Sequence, residues 1–288
     1  MTGLLLSWKL SGRFKIFMPA IKLSRLKAEI ASLGQKFDYP VDFLNQLRDL
    51  LEAHANLVYR SGQTVHPVKK LRVLHIPPLV LDQIESDLRH LCRKNPEAAL
   101  ILVDALWESK TLEERLLAAG FIGQLPLDYS ENVVQRIKAW SQPGCEETVL
   151  IAILNDASYE LRQKAQDLWL DIIHDWLESS TSLYQKLGLK ALLPLLNDDQ
   201  FVNLPLIFRL IDPVIRSAPS TLQAEIQSVL AAFARRAPEE IGYYLQRIIL
   251  TEPELSPGTA HLMRRAIPTL PEETQTSLRE LLKGISFR

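Results

Sequence analysis

Along most of the chain, apolar residues return every three or four positions, the spacing of one face of an α-helix. In Val41–Ala55, for example, Phe43, Leu44, Leu47, Leu50 and Leu51 fall on one side, with polar residues on the other. The same reading predicts helices at Ile21–Leu33, Leu79–Lys94, Pro96–Glu108, Leu112–Gln124, Glu131–Trp140, Glu146–Leu154 and Tyr159–Leu177. Further helices follow at Ser182–Leu196, Leu204–Ile215, Leu222–Arg236, Pro238–Leu250, Thr259–Ile267 and Glu272–Lys283. Tyr59–Pro78 reads as a basic, proline-punctuated connection. No NG, DG or GG dipeptide separates alternating apolar runs, so hairpin β-structure is poorly supported.

One helix breaks the amphipathic rule. From Leu116 to Ile122 only Gly120 is not clearly apolar, so Leu112–Gln124 must be covered on more than one side. Thr111 and Glu114 have the spacing of a capping box, and Glu108-Ser109-Lys110 leaves a short link to Pro96–Glu108, so the two helices should form an antiparallel pair. Helix starts at Thr111, Glu146, Thr181 and Thr221 are spaced 35, 35 and 40 residues apart. Two helices repeating at that period are the pattern of a HEAT-like or armadillo-like α-solenoid, in which an inner helix is sandwiched between neighbouring repeats. The all-α alternative is an irregular helical bundle. In the solenoid, Leu116, Leu117, Phe121, Leu187, Leu192 and Leu195 should be buried between repeats.

At 288 residues and 47% hydrophobic, the chain can bury a large core. Cys92 and Cys145 form no disulfide framework or metal spacing, which makes a reducing cytoplasm the default compartment. The first residues carry apolar and positive side chains but no signal-peptide run, and no later segment is long and apolar enough to cross a membrane. Met18-Pro19-Ala20 is a candidate start, leaving residues 1–20 as an N-terminal extension and 21–288 as a single helical repeat domain.

Candidate chemistry is sparse. The six histidines show no HExxH spacing and no Cys or His partner at ligand distance, so no metal or other cofactor is expected. No P-loop, GxGxxG or GxSxG motif occurs, and Asp198-Asp199 reads as a capping turn. Charge is more informative in its distribution. Residues 1–94 hold 15 Lys and Arg against 8 Asp and Glu; the remainder holds 18 against 26, which restores the overall −1. Arg60, Lys69, Lys70 and Arg72 form a basic cluster that could meet phosphates. Later basic pairs are Arg162/Lys164, Lys186/Lys190, Arg235-Arg236 and Arg264-Arg265. Lys186 and Lys190, four apart, share a helix face. Equally, such side chains solubilise the surface of any solenoid.

The segment ALWESKTLEERLLAAGFIGQL resembles the DNA alkylation repair family, the AlkD-type HEAT-repeat alkylpurine DNA glycosylases. WLESSTSLYQK, Trp176 to Lys186, is similar to a second family segment, and Tyr59–Pro77 to a third, in which an active-site tyrosine precedes a loop and a proline. The resemblance implies an α-solenoid whose concave basic face cradles duplex DNA and releases N3- or N7-alkylated bases without a base-flipping pocket. It implies a carboxylate and aromatic residues beside the sugar. Carried over by position, Tyr59 matches the tyrosine, and Lys186 stands where the family has a DNA-contacting arginine, keeping charge but losing the bidentate fork. The aromatic positions fall on Pro143 or Gly144, the aspartate position on Thr148 with Glu147 alongside, and a second tryptophan, due near Ser228, is absent.

The sequence therefore leads to an all-α solenoid that binds duplex DNA through phosphate contacts from Tyr59, Arg60, Lys69, Lys70, Lys186, Lys190 and Arg235. Glu147 is the candidate catalytic carboxylate if any base excision occurs, although a carboxylate in a helix's first turn also complements the helix dipole without a catalytic role. The competing class is a protein-interaction scaffold with no nucleic-acid role, its partner seated on the concave face.

Overall fold

A computed structural model describes residues 22–55, 71–252 and 254–283, and within them the chain is helical throughout. The helices are α1 (Leu23–Gly34), α2 (Pro40–His54), α3 (Pro78–Lys94), α4 (Pro96–Trp107), α5 (Leu112–Ile122), α6 (Ser130–Trp140) and α7 (Glu147–Ala152). A π-helical turn, Ile153–Ala157, carries α7 into α8 (Tyr159–Lys164). Then come α9 (Gln166–Leu177), α10 (Ser182–Leu196), α11 (Leu204–Ser217), α12 (Gln223–Arg236), α13 (Pro238–Thr251), α14 (Pro257–Ala266) and α15 (Glu272–Lys283). The only extended pairing among the described residues is an isolated bridge between Arg72 and Thr111.

Local chemistry sets many of the starts. Proline opens α2, α3, α4, α13 and α14, where its missing N–H costs nothing and its fixed φ suits the first turn. Asn95, Asn203 and Ser256 cap α4, α11 and α14 by accepting a first-turn N–H. Thr111 does not form the expected capping box: its side chain makes no cap bond, and Glu114 turns inward to Arg48 at 3.2 Å. Ser109 Oγ instead accepts the Thr111 N–H, and Ser179 Oγ accepts the Thr181 N–H in the same way. This turn, a serine two residues before a threonine, recurs ahead of α5 and α10.

The helices alternate between two layers. In the first, α1, α3, α5, the α7–α8 unit, α10, α12 and α14 each pack on the next. In the second, α2 packs on α4, α6 on α9, α9 on α11 and α13 on α15. The remaining steps are bridged by Trp107 stacked on Trp140 at 4.3 Å and by Phe208 stacked on Tyr244 at 4.8 Å. The four starts read from the sequence at 35- and 40-residue spacing are those of α5, α7, α10 and α12, consecutive members of the first layer. Leu117, Phe121, Leu187, Leu192 and Leu195 are buried as expected, while Leu116 is half-buried.

The apolar run Leu116–Ile122 of α5 is covered at two close approaches. A Cβ at Gly120 would lie 2.5 Å from the Glu85 carboxylate of α3, and one at Gly123 would lie 1.9 Å from the backbone oxygen of Asp156 in the π turn. Helix α3 and the π turn thus close over α5 from either side. The expected single helix Tyr159–Leu177 is two: Ala165, at φ −138° and ψ 52°, breaks it into α8 in the first layer and α9 in the second. A continuous helix would have carried the strip with Trp169, Ile173 and Trp176 past the second layer, where these residues are buried. No helix among the described residues is long and apolar enough to cross a membrane.

Candidate nucleic-acid interface

A cleft of about 440 Å³ opens where α7 and its π turn, α10 and α12 meet on the outer side of the first layer. Each helix contributes at helical spacing: Glu147, Ile151 and Asn155; Lys190, Pro194 and Asn197; Ala224 and Ser228. Lys190 Nζ donates to Glu147 Oε1 at 2.6 Å. One turn earlier on α10, Lys186 Nζ stands 3.9 Å from Glu225 Oε1 on α12. Lys186 and Lys190 therefore do share a face, as their spacing predicts, and each has a carboxylate from a different neighbouring helix beside it.

Glu147 lies in the first turn of α7, the position at which a carboxylate complements the helix dipole. Its neighbour Glu146 is the N-cap of α7, accepting from the N–H groups of Thr148 and Val149. That leaves Glu147 without a capping bond, 62% exposed at its side chain and facing Lys190. Just upstream, Cys145 N–H donates to Gln142 O at 2.9 Å, and Gly144 has φ 91°. Pro143-Gly144 is thus a tight turn with proline at its second position and a left-handed residue at its third. An aromatic side chain at Gly144 would be strained there. Ser228, near which the family resemblance leads one to expect a tryptophan, is exposed and donates to Ala224 O in its own helix.

The other basic candidates separate into two kinds. Arg235 is exposed, makes no ion pair among the described residues, and follows Ala224 and Ser228 by eleven and seven positions, on the same side of α12. Arg236 donates to the carbonyls of Leu195 and Leu196 at the end of α10 and of Phe201 in the loop that follows. Arg162 is buried and donates to Asn155 O, Pro194 O and Ser158 Oγ. These two arginines donate mainly to backbone carbonyls in and just after neighbouring first-layer helices, so they tie adjacent helices of that layer together and are not offered to a ligand. Lys164 is paired with Glu160 at 2.7 Å. Tyr59, Arg60, Lys69 and Lys70 lie outside the described residues.

Glu225 and Asn197 were not singled out in the sequence. The repeat would have found Glu225, which follows Lys186 by 39 residues, close to the 40-residue step from Thr181 to Thr221; Asn197 had no such signal. A second acidic group lies further along the layer. Burial pushes the Glu85 carboxyl up to about 7, assisted by the charge of Asp156, and burial pushes Asp156 up to about 6. No grouping of His, Cys, Asp and Glu able to hold a metal ion occurs among the described residues.

Neither the curated proteins nor the solved structures contain a match to the chain. The family model described as DNA alkylation repair enzyme matches residues 47–269, well over half of the sequence and including every element of the cleft. Three successive first-layer helices bring Glu147, Lys190 and Ser228 to one cleft inside that span, and on the extent of the match the chain belongs to the DNA alkylation repair enzyme family.

Proposed function

We propose that residues 21–288 form one HEAT-like α-solenoid whose first layer is a concave face that binds duplex DNA through its phosphates. The alternation of layers and the repeat spacing support the solenoid; family membership supports a role in DNA repair. Lys186, Lys190 and Arg235 are the described contacts, with Tyr59, Arg60, Lys69 and Lys70 as further ones. Phosphate oxygens replace the carboxylates beside the lysines, and the 3.9 Å separation of Lys186 from Glu225 is the looser of the two pairs. Such contacts carry no base sequence directly.

The chain binds without efficient base excision in this reading. Breaking a glycosidic bond to an alkylated purine builds positive charge on the sugar, and a carboxylate lowers that barrier only if its charge is available and shielded from water. Glu147 is largely exposed and already paired with an ammonium group at 2.6 Å. The turn at Pro143-Gly144 and the small Ser228 offer no aromatic wall. The observation that carries the reading is this Lys190–Glu147 pair at the mouth of the cleft.

Two measurements test it. Duplex affinity should fall steeply with salt, with a log–log slope of about −0.9 per phosphate contact, and K186E/K190E should flatten the slope by about 2. Release of 7-methylguanine from methylated duplex should be absent from both the wild type and Glu147→Gln; release by the wild type that the substitution abolishes would make Glu147 catalytic. A specific observation favours a protein scaffold as the second reading: the lysines of this face stand beside carboxylates, giving it mixed charge. Undetectable duplex binding at low salt would decide for the scaffold.

A further inference from the structure

We propose that the cavity between the ends of α14 and α15 is a binding site for a phosphate monoester carried on an apolar or aromatic body. The basic pair Arg264-Arg265 stands out in the sequence and has no part in the function above. Arg264 lines a cavity of about 400 Å³ with Ile267 and Pro268 of the turn after α14, and with Arg279, Leu282 and Lys283 of α15. The two walls share one spacing: 264, 267 and 268 face 279, 282 and 283, each beginning with an arginine and continuing with a buried apolar residue. Three cations and no carboxylate line the cavity. Arg279 Nη2 donates to the neutral amide oxygen of Gln275 at 2.9 Å, and neither Arg279 nor Lys283 has an ion pair among the described residues. The cleft between α7, α10 and α12 differs in this respect, since Lys190 there meets Glu147 at 2.6 Å. Cations in a last turn complement the helix dipole, but that does not bring three of them from two helices to one cavity.

The lining selects the ligand. A monoester phosphate has three terminal oxygens and a charge of about −1.5 to −2 at neutral pH, one acceptor for each cation and more charge than a diester or a carboxylate carries. Arg264 and Arg279 each offer a planar fork of N–H donors, and Lys283 a compact charge. Repulsion among the three cations is relieved when such an anion sits between them. Phosphate alone would leave most of the volume empty. Ile267, Pro268 and Leu282 supply apolar surface for an organic body, and about 400 Å³ lies within the roughly 300–1,000 Å³ of small-ligand sites. The monoester is either a free organic phosphate or the phosphorylated end of a DNA strand. Thr259 Oγ1, in the first turn of α14, donates to the carbonyls of Ile215 and Arg216 at the end of α11, just before α12. Helices α12 and α14, packed side by side, therefore run the same way, and the last-turn residues Arg235 and Arg264 lie at the same end of the first layer. A strand held at Arg235 can thus present its terminal phosphate to the cavity. That source alone rests on the DNA-binding reading above.

Calorimetric titration of the full-length protein with thymidine 5′-monophosphate should show saturable one-to-one binding. Its methyl ester, a phosphodiester, should bind about tenfold more weakly for want of the second charge, and thymidine should not bind measurably. Affinity for the monophosphate should rise with pH through the second phosphate pKa of about 6. Arg279→Gln/Lys283→Gln should weaken the monophosphate by about tenfold or more without moving the thermal unfolding midpoint, because both side chains are exposed. Arg265→Gln, which removes a charge that does not line the cavity, should leave the affinity unchanged. For the second source, a short duplex with 5′-phosphorylated ends should bind about threefold or more tightly than one with hydroxyl ends, and the double variant should lose that preference. A preference lost in the variant supports the strand end; monophosphate binding without a preference supports the free phosphate. Equal binding of monophosphate and thymidine, or binding unchanged in Arg279→Gln/Lys283→Gln, would overturn the proposal. If the monophosphate binds and duplex does not, the cavity stands and the DNA-binding reading fails. Duplex binding with neither monophosphate binding nor end preference would sustain that reading and remove the cavity as a site.

Discussion

Gly120 and Gly123 lie three residues apart on the same segment, yet replacing each by alanine should have very unequal consequences. At Gly123 the new Cβ would sit 1.9 Å from the backbone oxygen of Asp156, 2.8 Å from its carbonyl carbon and 3.1 Å from the Ala157 Cα. None of these atoms can rotate away, so the π turn must move bodily by an ångström or more. Gly123 has φ −70°, which alanine adopts freely, and the entropy lost from the unfolded chain would favour alanine by about 0.4–1 kcal/mol. Overpacking against a fixed backbone costs about 1–3 kcal/mol and sometimes more. The overlap at 1.9 Å puts this site at the upper end, for a net loss of about 2 kcal/mol. At Gly120 the nearest atoms, at 2.5 and 2.6 Å, belong to the Glu85 carboxylate, the far end of a flexible side chain. There alanine gains up to about 1 kcal/mol of helix propensity, which largely offsets the cost of turning Glu85 aside. Urea unfolding at neutral pH should therefore place G123A about 2 kcal/mol below wild type and G120A within about 1 kcal/mol of it. If G123A were as stable as G120A, the close packing of the π turn on α5 would be refuted, and with it the placement of Leu154 and Asn155 in the cleft.

Other substitutions test the charges. The folded-state pKa of Glu85 is raised to about 7 by burial, so the folded chain takes up protons that the unfolded chain does not. The contribution of Glu85 to stability is thus greatest below its unfolded pKa near 4.5 and is lost as pH rises towards 7. Glu85→Gln should remove that decline and raise the unfolding midpoint at pH 8; a steeper decline in the variant would contradict the assignment. Arg235→Glu should weaken duplex binding and leave unfolding within about 0.5 kcal/mol of wild type. Arg236→Ala should instead destabilise, by about 1–3 kcal/mol, because it takes the donor from the carbonyls of Leu196 and Phe201; loss of duplex affinity in Arg236→Ala with unchanged stability would reverse the roles given to the two residues.

The sequence by itself determined which stretches are helical and, through the starts of α5, α7, α10 and α12, the repeat that brings them into one layer. It could do so because helical periodicity and proline starts are local properties, and because each repeat buries the same face. It also placed Lys186 and Lys190 on one helix face, since residues four apart on a helix are neighbours; that Glu147 meets Lys190 is decided by packing. What lay beyond it depends on partners distant in the chain. The Thr111–Glu114 spacing suits a capping box, but Arg48 competes for Glu114 from another helix. The helical pattern from Tyr159 to Leu177 is continuous, but α8 and α9 belong to different layers, and only packing reveals the break at Ala165. Arg235 and Arg236 are indistinguishable as a basic pair; the tertiary structure separates them, because a rotation of about 100° between consecutive helical residues turns one to solvent and the other to the carbonyls of α10. The buried, unpartnered oxygen of Glu225 likewise exists only where three helices meet.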